Sequence, residues 1–331
     1  MTERDAAPDC ILVVRLSALG DVIHTLPAVA ALRAALPRCR IGWVVEPPYR
    51  ELIELVAPVD EVFTIGVKRW RRQSVSTTWR EIQELRGAMR EFARGAVAID
   101  FQGLIKSAAI AWSSGARLRY GFERAAIRES WALMFLNRTI SVDRTHHVVD
   151  WNLDLARGIV PSIGAAPPVD LSPFAARPSG TPASLSGRIV LLPGAGRASK
   201  IWPAARFRDC ARAIEARSGK LPVIAWGPGE YELAESIAAG GCAEIAPPTG
   251  LRELTWLLRE SQLVIAGDTG PLHLAAALGT KVVALFGPTS PERNGPYGQR
   301  HHVVESFSTT RTMEGIAVEQ VMKKFDEVWS E

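Results

Sequence analysis

The chain alternates short apolar runs with longer runs of helical spacing, stops, and then begins the same alternation again. Residues 11–16 (ILVVRL) read as a strand, and 21–36 as a helix whose Val22, Leu26, Val29, Ala30 and Leu32 make an apolar face. Strands follow at 41–45, 61–65 and 96–100, with helices at 78–94, 103–113 and 147–159. The window 161–187 breaks the rhythm. It holds six of the chain's 22 prolines among Gly, Ala and Ser, which is the composition of a linker. Beyond it, strands at 188–192, 221–226, 262–266 and 281–286 alternate with helices at 203–217, 230–239, 251–259 and 271–278, and a last helix covers 315–329. Strands that alternate with helices form a parallel sheet covered on both faces. The expectation is therefore an α/β chain of two Rossmann-like, doubly wound domains facing each other across a cleft. At 331 residues the chain has the length for two domains of ordinary size.

Several function classes are excluded early. The hydrophobic fraction is 47%, enough for a sizeable core, yet no apolar run approaches the roughly 18 residues that cross a bilayer. The first five residues mix acid and base, unlike a secretory leader. Cys10, Cys39, Cys210 and Cys242 are scattered, with no CxxC pair, so no zinc ribbon or disulfide framework is written into the chain. A cytoplasmic protein in a reducing compartment is expected. The net charge of +4, with its basic excess in the first half, is small for a nucleic-acid footprint, and no nucleic-acid-binding motif accompanies it.

In open α/β sheets ligands sit beyond the carboxyl ends of the strands, which directs attention to loops 17–21, 193–200, 226–230 and 267–273. In the first, Gly20 and Asp21 open a helix, where Asp21 is either an N-cap or a general base at the mouth of the site. The second, Pro193-Gly194-Ala195-Gly196-Arg197-Ala198-Ser199-Lys200, suits phosphate: backbone N–H groups, a hydroxyl and a point charge stand ahead of a helix. It has neither Walker A spacing nor a dinucleotide fingerprint. The third, Gly267-Asp268-Thr269-Gly270-Pro271-Leu272-His273, either caps a helix or offers hydroxyl, bare backbone and imidazole to a ligand. Asp-x-Asp does not occur in the chain, so a diphosphate leaving group would be neutralised by Lys, hydroxyls and helix N-termini, with no obligate metal. Two basic clusters remain, Lys68-Arg69-Trp70-Arg71-Arg72 and the arginines of 117–144, which include Arg128 and Arg138. The first suits a phosphorylated acceptor or an anionic membrane surface.

RLSALGDVIHTLPA (15–28), VKRWRR (67–72), IDFQGLIKSA (99–108), LLPGAGRASKIWP (191–203) and GDTGPLHLAAALGTKVVALFGPTSP (267–291) together resemble glycosyltransferase family 9, the ADP-heptose–lipopolysaccharide heptosyltransferases. The basic loop, DFQGLIKS and the run 128–138 are most similar to the heptosyltransferase I branch. That resemblance implies the GT-B fold, with an acceptor domain at 1–165, a linker at 166–187, a nucleotide-sugar domain at 188–314, and a helix at 315–331 packing back on the first domain. It implies an inverting, metal-independent transfer from ADP-heptose to Kdo of the inner core, on an anionic glycolipid of the Kdo-lipid A type. Asp21 matches the general base and Lys200 the lysine on the donor phosphates. Gly194, Gly196, Ser199, Asp268, Thr269, Gly270 and His273 match the donor site, with Glu230 or its neighbour Glu232 on the ribose. Ser17, Gly20, Lys68, Arg69, Arg71, Arg72, Gln102, Lys106, Arg128 and Arg138 would meet the acceptor. A monomer with no cofactor beyond its donor is implied, and a peripheral contact with an anionic membrane suits the basic loop. Two other readings stand beside this one. A nicotinamide oxidoreductase would use Glu46 as its ribose acid, although the first turn carries a single glycine. A lectin-like binder of lipopolysaccharide core would need the basic loop alone.

Overall fold

The computed structural model describes residues 8–66, 74–299 and 302–331. The chain divides into two compact units, Met1–Asp170 and Leu171–Glu331.

The first unit runs β1 (Cys10–Val14), α1 (Leu19–Ala35), β2 (Arg40–Val45), α2 (Arg50–Val56), β3 (Glu61–Thr64), α3 (Val75–Phe92), β4 (Val97–Asp100), α4 (Ile105–Ser113), β5 (Leu118–Phe122), β6 (Arg138–Ile140) and α5 (Val148–Ile159). The strands pair in the order β3-β2-β1-β4-β5-β6, all parallel. β1 is buried along its whole length because side chains alternate between two covered faces. Leu12, Val14 and Leu16 join Phe63, Met89, Phe92, Ile110 and Ala111 in one core layer. Gly42, on β2, is there for space: a Cβ would stand 2.7 Å from the ring of Phe92. α1 and α5 are joined where Asn152 Nδ2 donates to the carbonyl of His24 at 2.9 Å.

The second unit runs β7 (Ile189–Leu192), α6 (Ala204–Ser218), β8 (Val223–Ile224), α7 (Tyr231–Ala238), β9 (Glu244–Ile245), α8 (Leu251–Glu260), β10 (Leu263–Gly267), α9 (Gly270–Ala277), β11 (Val282–Phe286), α10 (Pro291–Asn294), β12 (Val303–Glu305) and α11 (Val318–Ser330). Its sheet order, β12-β11-β10-β7-β8-β9, repeats the first when read from the other edge. In both units the chain lays three strands to one side, then returns to the middle and builds the other. The strand order reverses between β1 and β4 and between β7 and β10, and a crevice at the carboxyl ends of those strands is where such sheets bind ligands.

Two expectations change. The last helix belongs to the core of the second unit, where Val321, Met322, Phe325 and Val328 pack with Phe207, Cys210 and Leu285. Four side chains buried there contribute roughly 6–12 kcal/mol before entropy is charged, which explains why the helix stays with that unit. The proline-rich window is also not all linker. Leu171, Phe174, Ala175 and Leu185 are buried, and the guanidinium of Arg252 lies 5.5 Å from the Phe174 ring centroid. Four apolar side chains spaced through it anchor a segment of turns and one 3₁₀ helix, Ala183–Leu185.

Candidate active site

Each unit presents a polar cluster at its own switch point. In the first, α1 begins at Leu19 with Ala18 as its N-cap, so Asp21 is the third helical residue and not the cap. Its carboxylate is held by two arginines. Arg15, 1% exposed, reaches Asp21 Oδ1 with Nη2 at 3.0 Å, donates from Nε to the Asp21 carbonyl at 3.2 Å, and donates from Nη1 to the carbonyl of Phe101. Arg128 Nη2 lies 3.0 Å from Oδ1 and 3.2 Å from Oδ2. Burial works to raise the Asp21 pKa, but the charges of Arg15 and Arg128 outweigh it and hold the carboxyl below its ordinary value.

Asp100 closes the back of this cluster. Fully buried at the end of β4, it accepts from the backbone N–H groups of Gln102 at 2.9 Å and Gly103 at 3.1 Å. Burial nevertheless raises its pKa to about 6. Gln102 in turn accepts from the Leu16 N–H at 3.0 Å, tying the loops after β1 and β4 together.

The other acceptor candidates are dispersed. Ser17 is half-buried beside the helix start and Gly20 lies buried in its first turn. Lys106 Nζ sits 3.5 Å from Glu46, which places the proposed ribose acid of the oxidoreductase reading in an ion pair. Arg138 is exposed on the edge strand β6, its Nη1 donating to the Asn137 carbonyl at 2.8 Å, and none of the described contacts joins it to Asp21. Lys68, Arg69, Arg71 and Arg72 lie outside the described residues.

In the second unit Lys200 ends a 3₁₀ turn, Ala198–Lys200, in the loop after β7, and its Nζ contacts Asp268 Oδ2 at 2.6 Å. Asp268 Oδ1 lies 3.1 Å from His273 Nε2. Burial alone would raise Asp268, yet His273 and Lys200 bring its carboxyl far below the usual range. Pro271 stands in the first turn of α9, as its sequence position requires, and Gly270 is the first helical residue. Thr269 Oγ1 and Thr289 Oγ1 are shielded from solvent and have no hydrogen-bond partner among the described residues. Hydroxyls in that condition, on the loops after β10 and β11, are suited to a polar ligand.

Glu230 is placed more tightly than its sequence position suggests. Its Oε2 accepts from the Gly227 N–H at 2.7 Å, and its carboxylate lies against Gly194, where any Cβ would overlap it. Glu232 is exposed on α7. Of the two, Glu230 therefore borders the glycine loop. Gly196 and Ser199 are exposed on that loop, with open space around Gly196. Among the described residues no three His, Cys, Asp or Glu side chains converge in a way that would hold a metal ion.

Sequence reasoning passed over Arg15, Asp100 and Thr289. Arg15 had a signal: a charge closing an otherwise apolar strand is buried only when it has a partner.

A family model for glycosyltransferase family 9 (heptosyltransferase) matches residues 86–324. Lipopolysaccharide heptosyltransferase 1 of Escherichia coli K12 is 31% identical over 301 residues, covering 88% of this chain and 92% of the relative. The protein of the same name from Pseudomonas aeruginosa is 33% identical over 301 residues, covering 87% and 81%. Among solved structures, E. coli heptosyltransferase WaaC with ADP matches with a TM-score of 0.82 at 27% identity, over 96% of this chain and 99% of that one.

Proposed function

The chain belongs to glycosyltransferase family 9, and from that premise we propose that it transfers heptose from ADP-heptose to a Kdo residue of the lipopolysaccharide inner core, with Asp21 as general base. The observation that carries this reading is the carboxylate of Asp21, kept ionised at the first unit's switch point with one of its two guanidinium partners, Arg128, 41% exposed in its side chain. Arg128 can leave for an acceptor anion, whereas Arg15 cannot.

In the displacement the acceptor O–H gives its proton to Asp21 while its oxygen bonds to the anomeric carbon of the donor. The bond from that carbon to the phosphate oxygen breaks, and its electron pair leaves with ADP. The charge that develops on the diphosphate is met by Lys200, by the N-terminus of α9 and by the hydroxyl of Thr269. Asp268 orients Lys200 and His273 without consuming either. Glu230, beside Gly194, is placed to accept from ribose hydroxyls. This chemistry draws on no metal. The reading has the protein working as a monomer at the cytoplasmic side of the inner membrane.

The oxidoreductase alternative is weakened by Glu46, already paired with Lys106. The deciding experiment incubates the protein with ADP-heptose and a Kdo-bearing acceptor and reads the products by mass. One heptose added per acceptor, with ADP released, is the expected result. Donor hydrolysis without transfer, or no consumption of the donor, contradicts it.

A further inference from the structure

An apolar face lies beside Arg128 that the transfer chemistry does not use. On α4, Ile105 and Trp112 are two turns apart and share one side of the helix, 40% and 53% exposed. A 3₁₀ turn, Ser130–Phe135, places Trp131 and Met134 three residues apart, hence on one side of the turn, 72% and 71% exposed. The two elements are locked together. The Trp112 and Phe135 ring centroids are 6.1 Å apart, the Glu129 N–H donates to the Gly103 carbonyl at 3.0 Å, and the Ile105 N–H donates to Glu129 Oε2 at 2.7 Å. Arg119 fixes the far end, donating from Nε to the Phe135 carbonyl at 2.7 Å. Large side chains held outward on a rigid platform are not random surface hydrophobics.

The charge around the face indicates what covers it. Residues 115–140 contain five arginines and two glutamates, with no Lys or Asp. Arg117, Arg124 and Arg138 are exposed, and both glutamates are engaged, Glu129 with Ile105 and Glu123 with Ser141 at 2.7 Å. Tryptophan and methionine beside this excess of arginine over glutamate match a lipid headgroup layer, where indole settles at the interface and guanidinium meets phosphate.

We propose that the face formed by Ile105, Trp112, Trp131 and Met134 docks on an anionic phospholipid bilayer. The proposal deepens the functional reading, in which the acceptor is lipid-borne: Arg128, three residues before Trp131, also holds Asp21. A bilayer against this face brings a lipid-anchored sugar to the side of the unit where the base stands.

The test is flotation of the full-length protein with vesicles of phosphatidylglycerol and phosphatidylethanolamine, against vesicles of phosphatidylcholine alone. The wild-type protein is expected to bind the anionic vesicles at least about fivefold better, and to be released by high salt. Trp131→Ser/Met134→Ser, at two exposed positions, should lower binding by about tenfold. Its transfer to a soluble, deacylated Kdo acceptor should be unchanged, which also confirms that the variant is folded. Equal flotation of the two proteins, or no flotation of the wild type at low salt, overturns the proposal. So does loss of transfer to the soluble acceptor in the variant, which would make the face part of the sugar site. Sedimentation showing a wild-type dimer that the substitutions dissociate, without vesicle binding, would assign the face to a second copy and overturn it as well. Salt-sensitive flotation by a wild-type protein that transfers no heptose would keep the surface and remove the enzymatic reading.

Discussion

Asp21 faces two guanidinium groups that differ in what it costs to move them. Arg15 is fully buried with its donors satisfied, and removing either partner of such a pair costs about 3–5 kcal/mol. Arg128 is exposed, and a pair of that kind is worth about 1 kcal/mol or less. An acceptor carboxylate or phosphate can therefore draw Arg128 away cheaply, and the Asp21 carboxylate becomes more basic as it does. The signs follow from the pKa direction. With Asp21 held below its ordinary value, the carboxylate stays ionised through the ordinary carboxylate range, and kcat/KM should show no acid limb until pH falls below that range. Arg128→Gln removes one of the charges responsible, so the acid limb should move to higher pH in a pH–rate profile. A limb that stays in place would assign the titration to another group. Arg15 was readable as the one charge in the apolar run ILVVRL, but its pairing with Asp21 and the arrival of Arg128 from 107 residues away were not, because only the fold brings them together.

At the scale of elements, the glycine loop shows how a local rule and a tertiary contact combine. Gly194 is required by Glu230, whose carboxylate occupies the space a side chain would need. Gly194→Ala should displace Glu230 and weaken ADP binding by about tenfold, the loss of roughly one charge-assisted hydrogen bond, as isothermal titration would report. Unchanged affinity would mean that Glu230 does not meet the nucleotide. The long elements were legible because their apolar spacing is strong: β1, α1, β10 and α9 fall within a few residues of where periodicity put them. β5 and β6 were hidden among arginines, and β9 and β12 are too short to show a period. The choice between Glu230 and Glu232 was also beyond sequence, since they stand two residues apart at the start of one helix and only packing against Gly194 separates them.

The whole molecule uses one strand order twice, with an ionised carboxylate at the switch point of the first sheet and a lysine–aspartate–histidine cluster at that of the second. On the proposal that the second unit holds the donor diphosphate, ADP should raise the thermal unfolding temperature saturably and NAD should not, because binding stabilises only the state that binds. Equal stabilisation by NAD would return the oxidoreductase reading. The alternation and the proline window announced two α/β units, while the allegiance of the last helix had to be read from the burial of Val321, Met322, Phe325 and Val328. The central claim is that the first unit supplies the base for a reaction whose donor the second unit holds. Asp21→Asn, assayed for heptose transfer and for ADP binding on the same preparation, tests it most directly. Turnover should fall by about 10²–10⁴-fold with ADP affinity within about twofold of wild type. Turnover within about threefold of wild type would show that the proton leaves by another route.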